Sequence, residues 1–311
     1  MHVIRQELKR NMEKKVVLVA GGTGLVGSEL VEKLKRKGHE VRILTRGKSN
    51  PTAGLYNWDI ENKSIDEAAL ENVDTVINLA GAGIADKKWT EKRKKELIDS
   101  RVEPTLFLAS EVKKRPQVKQ YISASGINCY GYDNYNKEYT EDEAYGSDFL
   151  SHVVQLWEDA AKRMPEHVVV SILRTSVVLT KDGGALPKIA KPVKLGIGSP
   201  LGSGKQWMPW ITLDDLTDAF VHLVETREKG TFNALAGYET NKDFTKKLAK
   251  SLNKPFWFPN VPAFILKIML GEMSSVLLEG LKASNSKLKS TGFAFKHERL
   301  DDALRHILKK D

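Results

Sequence analysis

With 311 residues, the chain has room for about two domains at roughly 150 residues each, and 41% hydrophobic with 29% charged residues excludes disordered and collagen-like classes. Its apolar stretches fall far short of the roughly 18 residues of a bilayer span, and the single cysteine, Cys129, can close no internal disulfide, which points to a reducing, cytoplasmic setting without a membrane partner. The formal net charge of +9 leaves a polyanionic partner open, but the basic run Lys87, Lys88, Lys92, Arg93, Lys94 and Lys95 is interleaved with Glu91, Glu96 and Asp99 as on a solvated helix face, so nucleic acid is not expected.

In chain order, residues 1–14 read as an N-terminal extension with no secretory h-region, and Met12 as the natural start. From Lys15 onward, short β-branched runs alternate with helical patterns. That rhythm predicts an α/β fold, a doubly wound parallel sheet of Rossmann type. Strands are predicted at 16–20, 41–44, 73–79, 118–124 and 168–173, the last continuing into 177–179. Helices are predicted from Leu25 to the stop at Gly38, over 90–112 and over 149–164. Residues 181–210, rich in Gly, Pro, Lys and Ser, read as an excursion of loops over a ligand. A helix over 214–225 and a returning strand over 231–235 complete a nucleotide-binding domain spanning 15–240. Residues 241–311 form a smaller, helix-rich C-terminal part, whose apolar run 261–270 is expected to pack against the first domain.

The most specific local feature is Ala20-Gly21-Gly22-Thr23-Gly24-Leu25-Val26-Gly27, where the first strand meets the first helix. Glycines let the backbone approach a pyrophosphate, and the helix N-terminus offers it free N–H groups. Two spacings fit, Gly22-x-Gly24-x-x-Gly27 and Gly21-x-x-Gly24-x-x-Gly27. The second strand ends in Leu44-Thr45-Arg46, with no Asp or Glu to bond a free ribose. Arg46 can instead fork onto a 2′-phosphate, so NADP(H) is expected over NAD(H), with Thr45 and Arg46 in the cofactor set.

These residues, with Asn78-Leu79-Ala80-Gly81 and Ser123-Ala124-Ser125 after two later strands, resemble the extended short-chain dehydrogenase/reductase superfamily. More narrowly, the chain is similar to an atypical NAD-dependent epimerase/dehydratase-like family with a small C-terminal domain of unassigned function. Supporting stretches are Ile84-Ala85-Asp86-Lys87-Lys88-Trp89-Thr90, Asp182-Gly183-Gly184-Ala185-Leu186-Pro187, and Trp210-Ile211-Thr212-Leu213-Asp214-Asp215. The resemblance implies that Gly21, Gly24 and Gly27 approach the pyrophosphate, with backbone from Thr23, Leu25 and Val26. It implies that Asp59 contacts adenine, that Leu79, Ala80 and Gly81 line the adenine-ribose side, and that Ser123, Ala124 and Ser125 lie near the nicotinamide.

The superfamily's chemistry normally uses a Tyr four residues before a Lys, a phenol whose proton accompanies hydride transfer and an ammonium that tunes it. Aligned on Trp157-Glu158-Asp159-Ala160, this chain has Val153 and Trp157 at those places, and neither can exchange a proton near neutral pH. The one Tyr-x-x-x-Lys match, Tyr238 to Lys242, falls in a predicted turn and is read as chance. Arg101 stands where the superfamily places a relay Asn. The proton-donor candidates are therefore Ser125, Cys129 and Tyr130; Cys129 reads better as a small packed residue, which leaves Ser125 and Tyr130, the latter tuned by a cation such as Lys88 or Arg101. The histidines show no metal spacing, so no metal is expected. An NADP(H)-dependent oxidoreductase or epimerase-like enzyme acting on a small molecule is the first expectation, and a non-catalytic NADP(H)-binding sensor the alternative.

Overall fold

The computed structural model describes residues 14–132 and 136–309. The expected extension and the start at Met12 lie outside the described residues, apart from Lys14. Strand β1 (Val16–Ala20) is buried along nearly its whole length, as a strand covered on both faces must be. Helix α1 (Leu25–Arg36) buries Gly27, Leu30, Val31 and Leu34, a single stripe of 3.6-residue period. It stops just before Gly38, whose φ of +87° favours glycine. There follow β2 (Glu40–Thr45), β3 (Leu55–Asp59), β4 (Ser64–Ile65) and β5 (Thr75–Asn78). Then come α2 (Glu91–Lys113), β6 (Gln120–Gly126), β7 (Glu138–Tyr139), α3 (Phe149–Ala161) and β8 (Val169–Thr175). Much of the basic charge of α2 is paired locally, with Lys95 on Asp99, Arg93 on Glu96 and Lys94 on Glu91 and Glu272.

After β8, the sequence pattern resumes in residues 177–179 beyond a polar break, and the chain turns at Ser176 within that break. The Ser176 N–H and hydroxyl both donate to the Ala234 carbonyl, at 3.1 and 2.9 Å, which ends the first strand. The next strand, β9 (Val177–Leu179), leaves the main sheet. The excursion also contains more order than its composition suggests, holding α4 (Ala185–Lys194) and the start of β10 (Trp207–Thr212). Two prolines sit in α4, Pro187 in its first turn and Pro192 nearer its end. Completing this part are α5 (Leu213–Thr226), β11 (Gly230–Ala234), β12 (Gly237–Thr240) and α6 (Asn241–Ser251). Tyr238 and Lys242 therefore lie in β12 and the first turn of α6, not in a turn.

The main sheet has the order β11-β8-β6-β5-β1-β2-β3-β4, parallel throughout except for β3 with β4. Its chain winds outward from β1 to β3, then restarts on the other side with β5. The order reverses between β1 and β5, and the crevice beyond their carboxyl ends is where such sheets bind ligands. A second sheet, β12-β10-β9, lies beside it. The C-terminal part carries α7 (Ala263–Leu270), α8 (Ser275–Leu278), β13 (Lys282–Ala283), α9 (Ser286–Ser290) and α10 (Leu300–Leu308). One core joins Val19, Ile122 and Leu173 of the sheet to Leu248, Leu288 and Leu304 of the later helices. The apolar run 261–270 departs from expectation: only Leu266 of α7 is buried, Leu270 is half-buried, and Phe264, Ile265, Ile268 and Met269 are exposed.

Candidate cofactor and active site

The glycine turn stands at the carboxyl end of β1. Gly21 has φ of +80°, and the Gly24 N–H donates to the Gly21 carbonyl at 3.1 Å, closing the turn. Gly27 is required by packing, since a Cβ there would come within 2.1 Å of the Gly21 oxygen. The N-cap of α1 is Gly24, with no side chain to bond the first N–H groups and no acidic residue in the first turn. Thr23, Gly24 and Leu25 are exposed, and Val26 is half-buried. The helix start is thus an uncapped, accessible anion site of the kind that holds a pyrophosphate. Leu25 packs against Gly183 and Gly184, which places the residues before α4 beside this turn.

Strand pairing brings the second element of the site alongside. Ala20 is in register with Leu44, so Thr45 and Arg46 leave β2 beside the glycine turn. Thr45 accepts a hydrogen bond from the Gly47 N–H at 3.1 Å. Arg46 is exposed and makes no hydrogen bond or ion pair among the described residues. Asp59 ends β3 with its carboxylate turned to Asn62, whose backbone and side-chain N–H groups donate at 3.0 and 2.8 Å and pull the carboxyl below its usual range.

On the other side of the switch point, the Leu79 N–H donates to the Ala20 carbonyl and the Ala80 N–H to the Asn78 side chain. Gly81 follows against Arg101: a Cβ on it would press on the guanidinium at 3.2 Å. Arg101 is buried and donates to the Leu97 and Ala82 carbonyls, each at 2.9 Å. Its guanidinium lies over the Trp157 ring, 5.2 Å from the centroid. Burial, with Arg93 nearby, lowers it to about 10, so it remains a cation at neutral pH. Arg101 and Trp157, both substitutes within the superfamily pattern, therefore form one unit beside the Leu79–Gly81 loop.

The expected catalytic hydroxyls belong to a closed cluster. Ser123 is buried and donates to the Ala124 carbonyl at 2.9 Å. The Ser125 hydroxyl donates to Glu158 at 2.6 Å, and the Tyr145 hydroxyl to the other Glu158 oxygen at 2.7 Å. Arg174 forks onto both oxygens of the same carboxylate at 2.8 Å, with 4% and 1% of the two side chains exposed. Tyr130 accepts from Arg174 at 2.9 Å and donates to Asn233 at 2.7 Å. The cation beside Tyr130 is thus Arg174, not Lys88 or Arg101, and burial pushes the phenol well above its usual range in spite of it. Cys129 beside it is fully buried, with its thiol pushed up for the same reason.

Glu158, Arg174, Tyr145 and Asn233 were not singled out by the sequence pattern. A signal existed for two of them. Arg174 interrupts the apolar run of β8, and Glu158 shares a helix face with Val154 and Trp157. A charge placed where only a buried residue fits must have a partner.

A doubly wound sheet, a bare glycine turn at its switch point and hydroxyls ending β6 define a Rossmann-type protein of the atypical extended short-chain dehydrogenase/reductase class. The chain belongs to the NAD dependent epimerase/dehydratase family, whose model matches residues 17–234. A domain of unknown function (DUF1731) matches residues 261–307. Epimerase family protein SDR39U1 of Mus musculus is 34% identical over 299 residues, 94% of this chain and 99% of that protein. The chloroplastic SDR39U1 homolog of Arabidopsis thaliana is 35% identical over 304 residues, covering 94% and 86%. A crystal structure of human SDR39U1 (isoform 2) with NADPH matches with a TM-score of 0.86 at 33% identity, covering 94% of this chain and 98% of that one.

Proposed function

We propose that this chain binds NADP(H) across the crevice between β1 and β5 and uses it in an oxidoreductase or epimerase-type reaction on a small polar substrate. One observation carries the reading. The uncapped N-terminus of α1 and the unpartnered Arg46 stand side by side at the ends of two paired strands, with no acidic residue closing β2. Backbone N–H groups there bind a pyrophosphate, and Arg46 forks onto a 2′-phosphate with Thr45 beside it. The NADPH in the human SDR39U1 structure supports the same choice. In this reading, residues 15–240 carry the cofactor and 241–311 close the substrate side, in a cytoplasmic protein whose lone thiol stays reduced. Among the described residues, no helix is long and apolar enough to cross a membrane.

The nicotinamide cofactor supplies the hydride when bound. Ser125 and Tyr130 are proposed to polarise a substrate carbonyl, and each must exchange a protein partner to do so, Ser125 leaving Glu158 and Tyr130 leaving Asn233. A second reading, an NADP(H)-binding sensor without turnover, is favoured by a different observation. Val153 and Trp157 fill the acid–base positions of α3 and are buried there, and both hydroxyls are already engaged.

Competitive titration of NADPH and NADH tests the cofactor reading. Wild type should prefer NADPH, and Arg46→Ala should weaken NADPH binding by about tenfold to a hundredfold while leaving NADH unchanged, the worth of a lost charge-assisted pair. Equal affinities in both proteins would overturn it. Single-turnover absorbance of bound NADPH against aldehydes, ketones, quinones and sugar nucleotides then separates the two roles. Oxidation that disappears in Ser125→Ala with Tyr130→Phe, at intact cofactor affinity, supports the enzyme; tight binding with no oxidation favours the sensor.

A further inference from the structure

The cofactor crevice leaves one surface of the molecule without a role. Around α7, large apolar side chains stand in solvent: Leu195 is 70% exposed, Ile197 49%, Trp257 71%, Phe264 63%, Ile268 77% and Met269 59%. They form one face. The loop after α4 is tied to the start of α7 by the Val261 N–H on the Pro200 carbonyl and the Gly202 N–H on the Val261 carbonyl, both 2.8 Å. Trp257 stacks on Phe258 with ring centroids 4.2 Å apart. Within α7, positions 264, 265, 268 and 269 share one side of the helix, opposite the single anchor Leu266. Exposed apolar area this concentrated marks an interaction surface.

Charge decides what kind. The two segments that build this face, residues 183–213 and 244–271, contain four and five lysines and neither Asp nor Glu. Their excess equals the formal net charge of the whole chain, +9, whereas in the basic run before and within α2 Arg93, Lys94 and Lys95 are paired with carboxylates. Lys188 and Lys247 are paired, but Lys191, Lys194, Lys254 and Lys267 are exposed without an ion pair among the described residues. A second copy docked on this face would set lysines against lysines. The apolar stripe is exposed on a helix, and Phe264, Ile265, Ile268 and Met269 line no cavity among the described residues. A short helix with an apolar outer side, a neighbouring Trp and a ring of lysines is the arrangement that lies in a lipid headgroup layer, where lysines reach phosphates while their stems follow the apolar surface.

We propose that this face docks the protein on an anionic lipid bilayer, with α7 in the plane of the interface and Trp257 beside it. Nothing spans the membrane in this arrangement, and it stands independently of the cofactor reading. The full chain is to be sedimented with vesicles of phosphatidylcholine alone and of phosphatidylcholine mixed with phosphatidylglycerol. Binding should require phosphatidylglycerol and fall as salt rises. Ile268→Asp with Met269→Asp should weaken it by about tenfold or more, given the cost of setting charge into the acyl boundary, with Tm and NADPH affinity unchanged because both side chains are exposed. Lys254→Glu with Lys267→Glu should abolish the preference for the anionic lipid. Failure to sediment with either vesicle, or unchanged binding by the double Asp variant, would overturn the proposal. So would a concentration-dependent dimer that this variant dissolves, which gives the face to a second copy, or Ile268-dependent binding to immobilised polyglutamate without vesicle binding, which gives it to an acidic protein.

Discussion

The glycine turn and the Ser125 cluster stand at the carboxyl ends of β1 and β6, two strands of one sheet with β5 between them, and are finished in opposite ways. At the turn, helix N–H groups and the Arg46 guanidinium are left without protein partners. In the cluster, Ser125, Tyr145 and Arg174 all converge on the Glu158 carboxylate, and Tyr130 is held between Arg174 and Asn233. Unpartnered N–H and guanidinium groups are able to bind an anion, whereas groups already satisfied within the protein fix the local shape. Polar residues near a crevice are thus of two kinds, and hydrogen-bond accounting tells them apart where residue type does not.

Breaking the closed region should have the largest effect. Glu158→Ala leaves a buried guanidinium without its carboxylate and should cost about 3–5 kcal/mol, read as a lowered denaturation midpoint. Replacing both charges, Glu158→Leu with Arg174→Met, should recover much of that loss, because the penalty lies in the orphaned charge. A loss below about 1 kcal/mol in the single variant would show the cluster to be solvated, since exposed ion pairs carry no more than that.

Two glycines sharpen the contrast from the open side. Gly27→Ala drives a Cβ into the Gly21 carbonyl and should lose about 1–3 kcal/mol of stability by overpacking, together with NADPH affinity. Gly24→Ala meets only the Gly21 oxygen, at 3.4 Å, and its φ of −79° suits any residue. It should leave Tm nearly unchanged while weakening NADPH if, as proposed, the pyrophosphate binds against the start of α1. Equal Tm losses in the two variants would show that the turn is governed by packing alone.

The same division explains what the sequence disclosed. The glycine turn, Arg46 and the alternating strands are local patterns, readable within a few residues, and the doubly wound sheet followed from them. β3 passed unnoticed because Leu55-Tyr56-Asn57-Trp58-Asp59 alternates, with only Tyr56 and Trp58 buried, so it lacks an unbroken apolar run. The closed cluster joins residues distant in the chain, Tyr130 with Asn233 and Ser125 with Glu158, and no local window contains both members. Helix α7 misled for a third reason. An apolar run is equally the mark of a core and of an exposed docking face, and only the fold says which side of Leu266 the core lies on.

The smallest expected effect is a pH dependence that tests how open the molecule's outer face is. Asp214 opens α5 against Lys33 of α1 and Lys296, with the Lys296 ammonium 2.9 Å from its carboxylate and both lysines also reaching Asp218. Burial pushes the carboxyl up, and the hydrogen bonds and charges of Lys296 and Lys33 outweigh it, holding Asp214 at about 2 against an ordinary 3.8. A carboxyl depressed on folding contributes stability that is fully present above its unfolded value and drains as pH falls from there towards the folded one. With a third of its side chain in water, solvent screening limits that contribution to about 1 kcal/mol. Urea unfolding of wild type and Asp214→Asn should therefore differ by that amount at neutral pH, converge as pH falls from about 4 to about 2, and narrow at high salt. A difference that persists at pH 2 would mean that Asp214 holds the start of α5 through its hydrogen-bonding shape and not through its charge.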